Sequence, residues 1–182
     1  MMFGLMAISQ VFAPWFLGQQ FLPSGKIMFI EAPIIVLIAW SNVTGTQYLM
    51  PVNRVKEFTT SVTIGAVSNV IFNLFLIEAW GANGAALATV GSEFLVTASQ
   101  LVMIRKTISR RRLFHEQWKY FGSGLIMFIV VNRISVTINM TIANLVLEVL
   151  VGALIYILGL VLTQASIIGE AQKLISQRFS KK

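Results

Sequence analysis

Residues 58–104 read FTTSVTIGAVSNVIFNLFLIEAWGANGAALATVGSEFLVTASQLVMI. Phe58–Ile77 and Ala82–Ile104 are apolar runs close to the ~20 residues a helix needs to cross a bilayer core, and Gly81 stands between them. Their polar residues follow helical spacing. Ser61, Gly65, Asn69 and Asn73 recur every four residues and share one helix face, as do Ala85, Thr89, Glu93 and Thr97, with Gln100 close to that line. Gly84, Ala88 and Ser92 form an adjacent stripe of small residues suited to close helix contact. The stretch therefore predicts two membrane helices with polar inner faces.

Four further runs flank this pair: Met1–Leu17, Ala32–Pro51, Lys119–Thr137 with Arg133 near its end, and Leu145–Leu162. The runs are too long and too little alternating for barrel strands, and open strand edges do not exist in hydrocarbon. The expectation is an all-α membrane protein of about six transmembrane helices, with a membrane domain over residues 1–165 and a basic tail over 166–182. Composition agrees. The chain is 56% hydrophobic and 12% charged, with a mean hydropathy of +0.78, more apolar surface than a soluble domain of 182 residues can hide.

The net charge of +7 does not form a nucleic-acid stripe. The charges sit between apolar runs and at the C-terminus, where topology signals sit. With the chain starting inside, twelve of the 14 Lys and Arg fall on the inner side: Arg54, Lys56, Arg105, Lys106, Arg110, Arg111, Arg112, Lys119, Lys173, Arg178, Lys181 and Lys182. Lys26 and Arg133 remain outside. That asymmetry predicts a multi-pass membrane protein with both termini in the cytoplasm, and the expected location is the bacterial plasma membrane. Trp15, Trp80 and Trp118 fall at helix ends, as interfacial tryptophans do, whereas Trp40 lies inside its run and is expected to pack between helices.

Polar groups in hydrocarbon normally face other helices or a water-filled cavity. Asn42, Gln47, Asn69, Asn73, Thr89 and Glu93 are thus candidates to line a substrate cavity, or to serve as interhelical hydrogen-bond partners. Glu93 is read as the sole mid-membrane carboxylate. Arg133 either snorkels to the headgroups or faces inward as a bidentate partner for phosphate. The basic loop 105–112 either sets topology or binds anionic headgroups. In the tail, Ile167, Ala171, Leu174, Ile175 and Phe179 share a face opposite Glu170, Lys173 and Arg178, which predicts an amphipathic helix on the inner leaflet.

Cysteine is absent and His115 is the one histidine, in a basic loop. No Gly-rich phosphate loop, metal-ligand cluster or nucleophile constellation stands in the sequence, so no cofactor and no enzyme activity are expected. The first charge is Lys26, and Met1–Leu5 begins apolar with no charged n-region or cleavage site. A helix entered partway through, in a fragment of a longer protein, is the expectation.

Residues 3–18 (FGLMAISQVFAPWFLG), 41–77 (SNVTGTQYLMPVNRVKEFTTSVTIGAVSNVIFNLFLI) and 81–101 (GANGAALATVGSEFLVTASQL) resemble the lipid-linked oligosaccharide flippases of Gram-positive bacteria. These form the polysaccharide-transporter branch of the multidrug/oligosaccharidyl-lipid/polysaccharide exporter superfamily. The resemblance extends from residue 3 to about 165. Such proteins have about 12 to 14 membrane helices in two lobes around a central cavity that alternates between sides. This chain matches the last six.

The resemblance implies part of one lobe of a two-lobed flippase fold. It implies translocation of undecaprenyl-diphosphate-linked oligosaccharide units for capsule or exopolysaccharide assembly. The implied partners are that lipid-linked oligosaccharide, membrane lipids, a first-lobe polypeptide and other polysaccharide-assembly proteins, with no nucleic acid. Two alternatives stand beside it. A fragment of a multidrug and toxin extruder driven by H⁺ or Na⁺ would need acidic groups in the first lobe. A non-transporting membrane remnant or accessory subunit is the other.

Overall fold

The protein was studied as a computed structural model that describes residues 1–108, 114–138 and 140–169. The described residues are helices and their connections, in two compact units, Met1–Arg110 and Arg111–Lys182.

In the first unit, α1 spans Met2–Leu17 and ends at Gly18 (φ 105°). A 3-10 turn, Gln19–Phe21, leads into α2, Leu22–Glu31, then α3, Ile34–Ser41, and a π-helix, Asn42–Leu49. The path Gln19–Leu49 forms one apolar span of 31 residues. This is longer than the expected Ala32–Pro51. Pro23 sits in the first turn of α2, where its missing N–H costs nothing. Gly25 lets α2 lie on α1: a Cβ there would stand 2.8 Å from Gln10 Cα and 2.9 Å from Ser9 O. Pro23, Ser24, Gly25 and Lys26 make this helix read as a loop in sequence.

α4 covers Val55–Ile104 and breaks at Gly81 (φ 57°, ψ −131°), a backbone conformation that residues with a Cβ rarely adopt. The halves 55–80 and 82–104 fold back on each other. A Cβ on Gly65 would meet Val96, one on Gly91 would meet Phe72, and one on Gly84 would collide with the Leu76 backbone. Gly84, Ala88 and Ser92 are all buried, as their four-residue spacing predicts for a close helix contact.

The second unit is a helical hairpin, α5 (Gln117–Thr137) and α6 (Ile142–Leu162). Ser123, Met127, Val131 and Ser135 are the buried face of α5, one residue per turn. Gly152 of α6 packs on Val131 and Met127, and Gly159 packs on Ser123. Thr141 caps α6 by accepting from the Asn144 N–H at 3.2 Å.

Among the described residues there are six apolar helical segments: α1, the Gln19–Leu49 path, the two halves of α4, α5 and α6. The distribution of polarity is inverted relative to a soluble domain. Buried positions include Ser9, Thr44, Ser61, Ser92, Thr97, Gln100, Ser123 and Ser135, while Phe75, Leu154 and Leu162 are 71%, 59% and 83% exposed. An apolar exterior of this extent requires a lipid solvent. The basic loop falls outside the described residues from 109 to 113, and so does the amphipathic tail beyond 169.

Candidate functional site

The register of the α4 hairpin places four expected residues at one level. Asn69 and Asn73 on the first half, and Thr89 and Glu93 on the second, all lie between the Gly65–Val96 contact and the Gly84–Leu76 contact, and all are half-buried. Asn73 donates from Nδ2 to Asn69 Oδ1 and Asn69 O, each at 2.9 Å. Thr89 donates to the Ala85 carbonyl at 3.0 Å. Glu93 forms no hydrogen bond or ion pair among the described residues.

Asn42 and Gln47 do not join this group. Both are exposed on the π-helix, where Asn42 Oδ1 accepts from Thr46 at 3.4 Å. The wider pitch of that segment turns Thr44 and Gly45 inward instead. Thr44 donates to Gln100 Oε1 at 2.6 Å and to Trp40 O at 2.8 Å. Gln100 Nε2 donates to Ser61 Oγ at 3.0 Å. This fully buried network joins three helical segments about two turns along the helix from Glu93. Gln100 was visible in sequence on the Glu93 line; Thr44 was hidden by the unpredicted π-helix. Trp40 is half-buried, as its mid-run position suggested.

Arg133 is exposed on α5, on the side away from the Val131–Ser135 seam. This placement within the hairpin is open to either expected role, a snorkelling cation or one that faces a cavity.

Both units carry a basic residue that caps the carbonyl end of a neighbouring helix, where carbonyls lack partners and cations are favoured. Arg54 donates to Met103 O at 3.1 Å, to Thr107 Oγ1 at 3.3 Å and to Glu57 at 2.9 Å. Lys119 donates to Gln164 O and Glu116, both at 3.1 Å. Glu116 also accepts from the Ser166 N–H at 2.9 Å. That Ser166 bond, with Lys119 beside it, holds the Glu116 carboxyl down at about 2.

Beside the Arg54 end, an open groove of about 530 Å³ runs along Val55, Lys56, Thr59, Thr60, Thr63 and Ile64. Thr60 and Thr63 donate back to Lys56 O and Thr59 O, at 2.8 and 2.9 Å. Their hydroxyl lone pairs remain available, with one ammonium at the groove's end.

The expectation that Glu93 is the sole mid-membrane carboxylate is corrected by α6. Glu148 lies inside that apolar helix and is 2% exposed. Its environment is the α5–α6 seam, beside Ser135. The sequence signal was a single Glu one turn before Gly152.

No protein-family model matches the chain, and no curated protein matches it in sequence. Among solved structures, it superposes on a chain titled "Lipid II flippase MurJ, inward closed conformation" with a TM-score of 0.75 at 20% identity. The match covers 92% of this chain and 36% of that one. At this identity the likeness speaks for the fold. The chain is a multi-pass, all-helical membrane protein whose architecture corresponds to part of a flippase, and it spans about a third of that neighbour's length.

Proposed function

We propose that this chain forms part of one lobe of a bacterial flippase that moves undecaprenyl-diphosphate-linked oligosaccharide across the plasma membrane for capsule or exopolysaccharide assembly. The observation that carries the reading is the superposition on a lipid II flippase over 92% of the chain. Movement of a lipid-linked sugar between leaflets breaks no bond, so it needs a cavity and a conformational cycle in place of catalytic groups.

In this reading residues 1–165 are the membrane domain, 166–182 a cytoplasmic basic tail, and both termini lie inside. Asn69, Asn73, Thr89 and Glu93 form the polar level that the substrate's sugars pass. Asn42 and Gln47, exposed on the π-helix, and Arg133, exposed on α5, contribute to the cavity of a two-lobed transporter. Lys56 and its threonine groove offer a place for a diphosphate near the inner leaflet. The partners are the lipid-linked oligosaccharide, bilayer lipids and a polypeptide supplying the first lobe.

Complementation tests this reading. The chain is expressed alone, and joined to a first-lobe fragment, in a strain lacking its capsule-unit flippase, with surface polysaccharide as the readout. Rescue by the joined form supports a transport lobe. Failure of both forms, with the protein present in the membrane, favours a non-transporting remnant. Drug resistance in place of polysaccharide export would indicate the multidrug extruder.

A further inference from the structure

Among the described residues the fully buried hydroxyls donate to a backbone carbonyl, with two exceptions. Ser9, Thr44, Ser61 and Ser92 each donate to a carbonyl on their own helical path, the usual way a hydroxyl is satisfied in a membrane helix, and Thr97 donates across to Leu37 O at 3.0 Å. Ser123 and Ser135 do not: their hydroxyls are buried without a partner. Both stand on the α5 face that meets α6, with Ser135 beside Glu148.

Both carboxyl oxygens of Glu148 are likewise buried without a partner. An ionised carboxylate is acceptor-only, and here it has no donor but one Ser hydroxyl. No charged side chain of α5 compensates it among the described residues. Arg133 is exposed about half a helical turn away from Ser135, and Lys119 is engaged at the opposite end of the hairpin. On α6 the other ionisable group is Tyr156, two turns along. An isolated carboxylate in an apolar seam is strongly disfavoured, and neutralisation is the usual resolution.

We propose that Glu148 and Ser135 form a proton-binding site inside the α5–α6 seam. The Glu148 carboxyl holds the proton and donates it in a hydrogen bond to Ser135 Oγ. The Ser135 hydroxyl is then free to donate to its own helix, as Ser9, Ser61 and Ser92 do. One proton thereby gives both groups a partner. A divalent cation fits less well, since Ca²⁺ and Mg²⁺ take about six to eight oxygens and the seam offers three. Release of the proton leaves a charge between two closely packed helices, so the seam loosens as the proton leaves. The inference stands on the hairpin alone and is independent of which lipid the protein handles.

Infrared spectroscopy of the chain in phospholipid nanodiscs tests it. Wild type, Glu148→Gln and Ser135→Ala are compared at neutral pH, with and without sodium and calcium salts. The expected result is a protonated-carboxyl C=O band that is lost in Glu148→Gln, shifted in Ser135→Ala and unchanged by either cation. In the same discs, a Val131→Cys/Gly152→Cys pair reports seam closure. Relative to the Glu148→Gln background, which carries the thiols' own pH dependence, its cross-linking falls at alkaline pH when Glu148 is present. A spectrum in which Glu148→Gln removes no protonated-carboxyl band overturns the proposal. So does a band that disappears on adding sodium or calcium at constant pH, which would make the site a metal-ion site. If Glu148→Gln does not fold, the Ser135→Ala shift decides: an unshifted band overturns the hydrogen bond on which the site rests.

Discussion

Ser61 and Gln100, 39 positions apart, meet at 3.0 Å in the closed interior of the α4 hairpin, and Gln100 passes the connection on to Thr44 of the π-helix. Three helical segments are thus tied by one amide. Where lipid gives no hydrophobic drive for helices to associate, such bonds and close packing hold the bundle together.

Replacing Gln100 by Leu keeps the volume and removes both bonds. The expected cost is about 1–2 kcal/mol, read as a lowered unfolding midpoint in mixed micelles. Asn42→Leu, on the exposed side of the same π-helix, is expected to change that midpoint little.

Gly84 and Gly91 separate backbone collision from side-chain accommodation. A Cβ at Gly84 would collide with Leu76 O, whereas one at Gly91 would lie 3.1 Å from the Phe72 ring. Gly84→Ala is expected to destabilise by about 1–3 kcal/mol or more, and Gly91→Ala by clearly less. Thermal unfolding of the two variants in the same detergent makes the comparison, and equal effects would contradict the hairpin register.

Glu116 gives a pH prediction with a definite sign. Its carboxyl titrates near 2 in the folded hairpin against an ordinary 4.5. A depressed folded value stabilises above the ordinary one, so the Glu116–Ser166 tie is intact at neutral pH and is lost as pH falls from about 4.5 toward 2. Hydrogen exchange at Ser166, corrected for the intrinsic rate, is expected to show protection that fades over that window. Glu116→Gln is expected to lack most of it at any pH.

The absence of native cysteine makes cross-linking a clean probe of the second unit. A Cβ on Gly152 would stand 3.2 Å from Val131 Cγ2, which puts the two Cβ atoms within disulfide reach. Val131→Cys with Gly152→Cys is expected to cross-link readily at neutral pH. Ile129→Cys with Gly152→Cys is not, because Ile129 is on the exposed face of α5.

Much of this architecture was legible because the bilayer imposes a length and a hydropathy on each crossing. The turn at Gly81 and the buried stripe Gly84, Ala88 and Ser92 followed from spacing alone. α2 was not legible: Pro23, Gly25 and Lys26 carry loop chemistry, and only packing of Gly25 on α1 shows why a helix forms there. The π-helix was also hidden, since its altered pitch exchanges Thr44 for Asn42 at the interface and nothing local in the sequence announces it. Of the site candidates, Asn69, Asn73, Thr89 and Glu93 share a level because four-residue spacing on two antiparallel helices preserves it. Glu148 was passed over because one carboxyl barely alters the mean hydropathy of a long apolar run.

The proposed function has the chain take part in moving a lipid-linked sugar between leaflets. It is tested most directly in cells whose sole capsule-unit flippase is the chain joined to a first lobe, by measuring how much polyprenyl-diphosphate-linked sugar an externally added cleaving enzyme can reach. The joined protein is expected to restore external cleavage, and Glu93→Ala, at equal protein level, to reduce it. Substrate that stays inaccessible while the joined protein sits folded in the membrane would contradict the claim.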